Sequence, residues 1–295
     1  MLTPISDKEM KTLTSMKTGG KAREVYFPES VKELAFIVKE LRENNEKYVI
    51  LGNMSNVLLP DETINAALVV TTEMKSVKIL DGGKIYAEAG VSLTKLALDT
   101  CKAGLSGLEF AYGIPGSVGG AVYMNAGAYG GEVKDVITAV YALDSQGNEI
   151  TLTNKQCEFE YRKSVFSKNG FVILGAEFSL TGANAVECVK TAKEFMQRRI
   201  DKQPLDYPSC GSTFKRPEGY FAGALIEEAG LRGFEMNGAA VSEKHAGFVI
   251  NKNGAGTNEV LALMRYVREK VKENSGVTLE EEIKLLGTDG EFFRL

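Results

Sequence analysis

Three stretches of the chain hold charged or hydroxyl residues in patterns that could act on a substrate. Arg162, in Tyr161-Arg162-Lys163-Ser164, offers a planar fork suited to a carboxylate or a phosphate. Its plainer reading is a solvated charge on a strand edge. Ser212 lies in Cys210-Gly211-Ser212-Thr213-Phe214-Lys215-Arg216-Pro217, where hydroxyls, a glycine and two cations crowd one loop. Lys215 and Arg216 could hold a diphosphate. Ser212 has no histidine near it in sequence, which makes it a poor nucleophile. A serine held by a cation or a water can instead protonate a carbanion. A capping or turn serine is the alternative. In Leu279-Glu280-Glu281-Glu282-Ile283-Lys284, strand alternation places Glu280, Glu282 and Lys284 on one face. Leu279, Glu281, Ile283 and Leu285 share the other, and a charged solvent face is the bland reading.

Two further stretches could cradle a ligand with backbone. Gly52-Asn53-Met54-Ser55-Asn56-Val57 follows a short apolar run, and such a turn can aim N–H groups at a diphosphate. A plain strand-turn-strand fits equally. Gly113-Ile114-Pro115-Gly116-Ser117-Val118-Gly119-Gly120 continues through Asn125, Gly127 and Ala128 to Gly131. Small residues this dense let a backbone approach a ligand closely. A flexible linker would be polar and lack the Ile, Val, Tyr and Met that punctuate this stretch. His245, the single histidine, reads as a packed or hydrogen-bonded structural residue.

The elements that must position these loops are legible from periodicity. Ser30 and Glu33 resemble a capping box ahead of Leu34, Ile37, Val38 and Leu41 at helical spacing. Tyr48–Leu51 reads as a strand, 93–102 as a helix stopped by Gly104, and 136–143, 149–152 and 171–180 as strands. Gln146-Gly147 sits in a hairpin turn. A helix is expected over 185–200, with Val186, Val189, Phe195 and Met196 as its apolar residues. Another is expected over 258–273, closed by Gly276. A last strand is expected over 277–286. Pro204 and Pro208 mark 201–210 as a linker, and Asp81-Gly82-Gly83 suggests a weaker boundary near 72–80.

With 295 residues, 44% apolar and 25% charged, the chain has the profile of a soluble globular protein of about two domains. A net charge of −4 gives no global field for nucleic acid or an anionic membrane. No apolar run reaches the ~18 residues needed to span a bilayer. No apolar h-region interrupts the charged first thirty residues, so no signal peptide and a cytoplasmic location are expected. Four widely spaced cysteines imply reduced thiols and no zinc cluster, and a single histidine excludes multi-histidine metal sites. Neither GxGxxG nor GxxxxGKS/T occurs.

In order along the chain, LGNMSNVLL, GIPGSVGGAVYMNAGAYGGEV, YRKSVF, CGSTFKRP, AGLRGFEMNGAAVSEKHAGFVIN and LEEEIKLLG resemble one family, the UDP-N-acetylenolpyruvoylglucosamine reductases of bacterial peptidoglycan synthesis. The resemblance runs from about Lys17-Thr18-Gly19-Gly20 to the end. It is to the compact type II subtype, because Tyr161–Phe166 leads within a few residues into the next strand.

The resemblance implies an α+β fold. A two-part FAD-binding domain of the vanillyl-alcohol-oxidase (PCMH) type occupies 1–75 and 76–202. A C-terminal α+β substrate-binding domain occupies 203–295, with its last strand returning toward the first part. Such folds hold FAD without GxGxxG. Cofactor-binding residues are then Gly52, Asn53, Met54, Ser55, Asn56, Val57, Gly113, Ile114, Pro115, Gly116, Ser117, Gly119, Gly120, Asn125, Gly127, Ala128 and His245. The FAD is bound non-covalently. Tyr161, Lys202, Gly211, Lys215 and Arg216 are the substrate-binding candidates.

The implied chemistry is ping-pong. NADPH, the co-substrate, reduces FAD, which then passes a hydride to the terminal vinyl carbon of UDP-N-acetylglucosamine enolpyruvate. Arg162 stabilises the developing enolate, as does Glu282 in protonated form or through hydrogen bonds, and Ser212 protonates the adjacent carbon to give UDP-N-acetylmuramate. A monomer without nucleic-acid or membrane partners is expected. Two positions depart from the family's usual pattern. Its first loop is richer in glycine, so if that loop needs a left-handed residue here, Asn53 is the expected one. A proline often precedes the catalytic glutamate, where this chain has Glu281. The competing readings are a related flavin-dependent oxidoreductase of the same fold acting on another substrate, and a non-catalytic binder of FAD or a nucleotide sugar. The only histidine lies outside the early loops where oxidases attach flavin covalently. A binder would need none of Arg162, Ser212 and Glu282.

Overall fold

A computed structural model describes residues 3–295. The chain divides into two compact units. One holds Val25–Asn53 and Leu68–Arg199, with the described residues 3–4. The other holds Ile5–Glu24, Met54–Ala67 and Ile200–Leu295.

The first unit is built on a five-stranded antiparallel sheet. Its strand order is Glu149–Thr153, Ile137–Leu143, Val172–Ser179, Lys84–Glu88 and Val77–Ile79. Strand alternation sends Ile85, Ala87, Val140, Ala142, Ala176 and Phe178 into one core. The Leu93–Lys102 and Val118–Met124 helices add Leu96, Ala97, Ala121 and Val122 to it. In the hairpin turn, Asp144 accepts from the N–H groups of Gln146 and Asn148, which lets Gly147 take φ 90°. The Val31–Glu43 helix buries the expected Leu34, Ile37, Val38 and Leu41. Its cap is only half the expected box. Ser30 accepts from Glu33 N–H, but the Glu33 carboxylate reaches Glu29 N–H rather than Ser30 N–H.

In the second unit, the Thr257–Ser275 helix buries Val260, Leu263, Met264, Val267 and Val271. These pack with Ala239, Val241 and Val249 from a three-stranded antiparallel sheet and with Leu225 and Ile226 of the Ala222–Glu228 helix. Lys284–Leu286 pairs in parallel with Val57–Leu58 and antiparallel with Phe292–Phe293. All four cysteines are buried and free.

Two expectations are corrected. The long helix runs Ala185–Lys202, and its buried residues are Cys188, Ala192 and Arg199; Val186 is 73% exposed. Of the four expected apolar residues, Val189 and Phe195 pack against buried clusters and Met196 is half-buried, so only Val186 lies off the buried face. The regular strand expected over 277–286 is confined to Lys284–Leu286. Its alternation nevertheless extends back to 279. Leu279, Glu281, Ile283 and Leu285 are buried, whereas Glu280 is exposed.

Candidate active site

In the first unit the chain leaves the Tyr48–Leu51 strand at Gly52. A Cβ there would lie 2.3 Å from Ser117 Oγ, so only glycine permits the approach. Ser117 is itself committed. Its hydroxyl accepts from Gly120 N–H at 3.3 Å and caps the Val118–Met124 helix. Leu93 N–H donates to Gly116 O, Val118 N–H to Val91 O and Gly119 N–H to Ala89 O, which pins the glycine-rich stretch to residues 89–93. It is an ordered loop. Ile114 is half-buried, and Pro115 and Gly120 are exposed. Gly113 packs so closely that a Cβ would meet Met196 Sδ at 2.6 Å.

Asn125 closes that helix at φ 42° and is 1% exposed. Its Nδ2 donates to Glu132 Oε2 and Glu160 O, and its Oδ1 accepts from Lys134 N–H. Its amide is thus committed to holding the loop. Gly127–Ala128 pairs with Gly131–Glu132. Arg162 stands at the apex of a two-residue turn. Glu160 N–H donates to Lys163 O at 3.1 Å and Lys163 N–H to Glu160 O at 3.3 Å. Arg162 is held at φ 55°, a conformation that costs a non-glycine residue about 1–2 kcal/mol. Its Nη2 donates to Gly127 O at 3.4 Å, and its guanidinium lies 5.1 Å from the Tyr161 ring centroid. Strain of this kind concentrates at functional positions.

In the second unit three of the motifs meet at Glu282. Its N–H donates to Thr213 O at 2.9 Å, and its carbonyl accepts from Asn56 Nδ2 at 3.2 Å. Lys215 N–H donates to Glu280 O and Lys284 N–H to Asn56 O. The 213–215 segment therefore runs antiparallel to 280–282, with Phe214 opposite Glu281, and Val57 pairs with Lys284. Ser212 enters this arrangement between two fixed points. Gly211 turns the chain at φ 74°. Thr213, fully buried, donates its N–H to Gly247 O and accepts from Val249 N–H at 2.8 Å. Ser212 itself is exposed and Glu282 is half-buried.

The left-handed residue of the first loop is Met54, at φ 46°, and not the expected Asn53. Met54 is 4% exposed, whereas Asn53 is exposed. Burying the Met54 side chain contributes about 1.5–3 kcal/mol, which offsets the backbone cost of about 1–2 kcal/mol.

Arg216 lies 4.0 Å from the Phe221 ring centroid. Lys202 is exposed at the end of its helix and joins neither Lys215 nor Arg216 through any described contact. His245 Nδ1 accepts from Gly247 N–H at 3.0 Å, and burial holds the ring below its ordinary pKa. The neutral imidazole is a structural hydrogen-bond acceptor in the segment that anchors Thr213. Burial pushes the Cys210 thiol up to about 12, so it is no nucleophile.

Three features went unread in the sequence. Lys284 is half-buried, and burial first, then Arg294 and Lys215, lowers its pKa. Arg294 reaches Glu280 and Glu281. Thr18 Oγ1 is buried and meets no hydrogen-bond partner among the described residues. The charges of Lys284 and Arg294 were visible; their partners depend on long-range folding.

The donor set fits a flavin dinucleotide. Residues 52–57 and 113–128 contain no carboxylate to repel a diphosphate, and they carry amide and hydroxyl donors beside Gly52, Gly113, Gly119 and Gly127, where a Cβ would crowd a neighbour.

The comparisons agree. Residues 203–286 match the model of the UDP-N-acetylenolpyruvoylglucosamine reductase C-terminal domain, and residues 22–153 match an FAD binding domain. The chain is 46% identical over 285 residues to the reductase of Caldicellulosiruptor bescii, covering 96% of this chain and 90% of that protein. It is 44% identical over 283 residues to the reductase of Clostridioides difficile, covering 96% and 93%. The chain belongs to the UDP-N-acetylenolpyruvoylglucosamine reductase family. The crystal structure of the Thermus caldophilus reductase is similar with a TM-score of 0.81 and 31% identity, over 97% of this chain and 98% of that one. The family fold is α+β, an FAD-binding domain followed by the reductase C-terminal domain. The strand pairing at Glu282 joins the first loop to that C-terminal domain's own motifs.

Proposed function

We propose that the protein reduces UDP-N-acetylglucosamine enolpyruvate to UDP-N-acetylmuramate with NADPH, in peptidoglycan precursor synthesis. The observation that carries this reading is the pairing of the Ser212 segment with the Glu282 segment inside a domain of the reductase family. FAD, when bound, supplies the hydride and is recharged by NADPH. Gly52–Val57 and Gly113–Ala128 are the residues assigned to hold it.

The chain's own residues do the rest. As the terminal vinyl carbon gains a hydrogen, the π electrons move toward the carboxylate; Arg162 stabilises the charge that develops, as does Glu282 when it is protonated and donates a hydrogen bond. The loss of one such donor typically costs 10²–10³ in rate. The adjacent carbon takes its proton from Ser212, whose place is fixed by Gly211 and Thr213 before the reaction begins. Tyr161, Lys202, Gly211, Lys215 and Arg216 are assigned to the sugar nucleotide, the cations to its diphosphate.

In domain terms, 1–75 and 76–202 are the two cofactor parts and 203–295 the substrate part. A monomer in the cytoplasm fits this reading. No helix among the described residues is long and apolar enough to cross a membrane.

Product analysis in D₂O tests the reading. NADPH and the enolpyruvyl sugar nucleotide are expected to yield a lactyl ether with one solvent deuterium on the ether-bearing carbon. An unreacted enol ether, or label at the methyl carbon alone, would overturn it.

A further inference from the structure

Glu281 stands immediately before Glu282, in the segment that pairs with 213–215. The antiparallel step between 213–215 and 280–282 uses Lys215 N–H to Glu280 O and Glu282 N–H to Thr213 O. Glu281 N–H is not part of that ladder, and it makes no hydrogen bond among the described residues. A proline here would cost no bond and would fix φ of the residue before Glu282. Glu281 supplies no such stiffness. Its carboxylate is instead carried inward, where Glu281 is 4% exposed.

A buried carboxylate is tolerated only with a partner. That partner is Arg294, which comes from beside the Phe292–Phe293 strand. Its Nη1 lies 3.2 Å from Glu281 Oε1 and 3.0 Å from Glu280 Oε1. Lys215 holds Glu280 from the other side, and its ammonium keeps the Glu280 carboxyl below the usual range. Glu282 is therefore preceded by two carboxylates, each tied by a cation from a different segment. One of those carboxylates is enclosed.

We propose that Arg294 is a positioning residue for Glu282, acting through the buried Glu281 carboxylate. The proposal rests on the reading of Glu282 as a catalytic group. Removing Arg294 leaves a buried charge that must turn toward water, and the turn shifts the backbone of the next residue. Small misplacements of a catalytic group cost up to about 10² in rate.

The test uses the FAD-loaded enzyme in stopped flow and follows the two half-reactions separately. Arg294→Ala is expected to slow oxidation of the reduced enzyme by the enolpyruvyl sugar nucleotide by about 10–10²-fold. Reduction by NADPH should keep the parent rate. Arg294→Lys, which keeps a cation, should recover most of the loss. Glu281→Pro should work near the parent rate. In the Glu281→Pro background, Arg294→Ala should cost nothing, because no buried charge remains to be compensated. A general structural role predicts a different pattern, with Arg294→Ala costing the same factor in both backgrounds; that result overturns the proposal. So does a parent-like sugar step in Arg294→Ala when Glu282→Gln is slow. A Glu282→Gln enzyme with an unaltered sugar step would instead remove the reading of Glu282 itself, and the proposal with it.

Discussion

Replacing Gly52 with alanine probes its close contact with Ser117 inside the first unit. The new Cβ would stand 2.3 Å from Ser117 Oγ, while the next atom, Ser117 Cβ, is at an ordinary 3.4 Å. The hydroxyl therefore has to rotate away, and nothing else needs to move. Rotation forfeits the cap on Gly120 N–H. Loss of an N-cap costs about 1 kcal/mol, or about 2–4 °C in melting temperature for a unit of this size. Glycine is a cap almost as good as serine, within a few tenths of a kcal/mol. In a Ser117→Gly background, Gly52→Ala should then cost close to nothing, a coupling of about 1 kcal/mol between the two sites. Thermal unfolding of the four proteins measures this, and FAD retained through gel filtration tests the proposed role of the two loops in holding the cofactor. An equal cost of Gly52→Ala in both backgrounds would refute the geometry.

Other outcomes follow from the site. Ser212→Ala should leave reduction by NADPH intact and slow the sugar half-reaction strongly in single-turnover assays; parent-like sugar turnover would remove Ser212 from the mechanism. Arg162→Lys keeps a charge but loses the fork, and a drop of about 10²-fold in kcat/KM for the sugar nucleotide is expected. Met54→Gly relieves the left-handed backbone but empties a buried position, so urea denaturation should show a net loss of about 1–3 kcal/mol. His245 is held below its ordinary pKa by burial. The stability this gives is complete above pH about 6.5 and is lost as pH falls through the folded-state value. His245→Asn retains an acceptor for Gly247 N–H and cannot be protonated. Its stability should therefore fall less than the parent's on acidification below that pH, as followed by thermal melts.

Local chemistry made much of this fold legible. The Val31–Glu43 and Leu93–Lys102 helices and the Tyr48–Leu51 strand lie where periodicity and caps place them. On the Ala185–Lys202 helix Val189 and Phe195 pack as their hydropathy suggests, but Val186 is exposed and the small Cys188 and Ala192 are buried, because small residues signal close approach only when the partner is known. The alternation at 279–285 was readable, but its pairing was not, since Phe214 and Val57 come from distant segments. Asn53 was the better left-handed residue by intrinsic preference, and tertiary burial of Met54 overrode it. Each site motif was visible in isolation. The meeting of three of them at Glu282 was not, because it depends on hydrogen bonds spanning up to 226 positions.

The most direct test of the account is an anaerobic visible spectrum of the FAD-loaded protein taken through two additions. NADPH should bleach the flavin band, and the enolpyruvyl sugar nucleotide should then restore it in equal amount with formation of the lactyl ether. A protein that takes up no FAD, or whose bleached flavin is left reduced by the sugar nucleotide, would contradict the account.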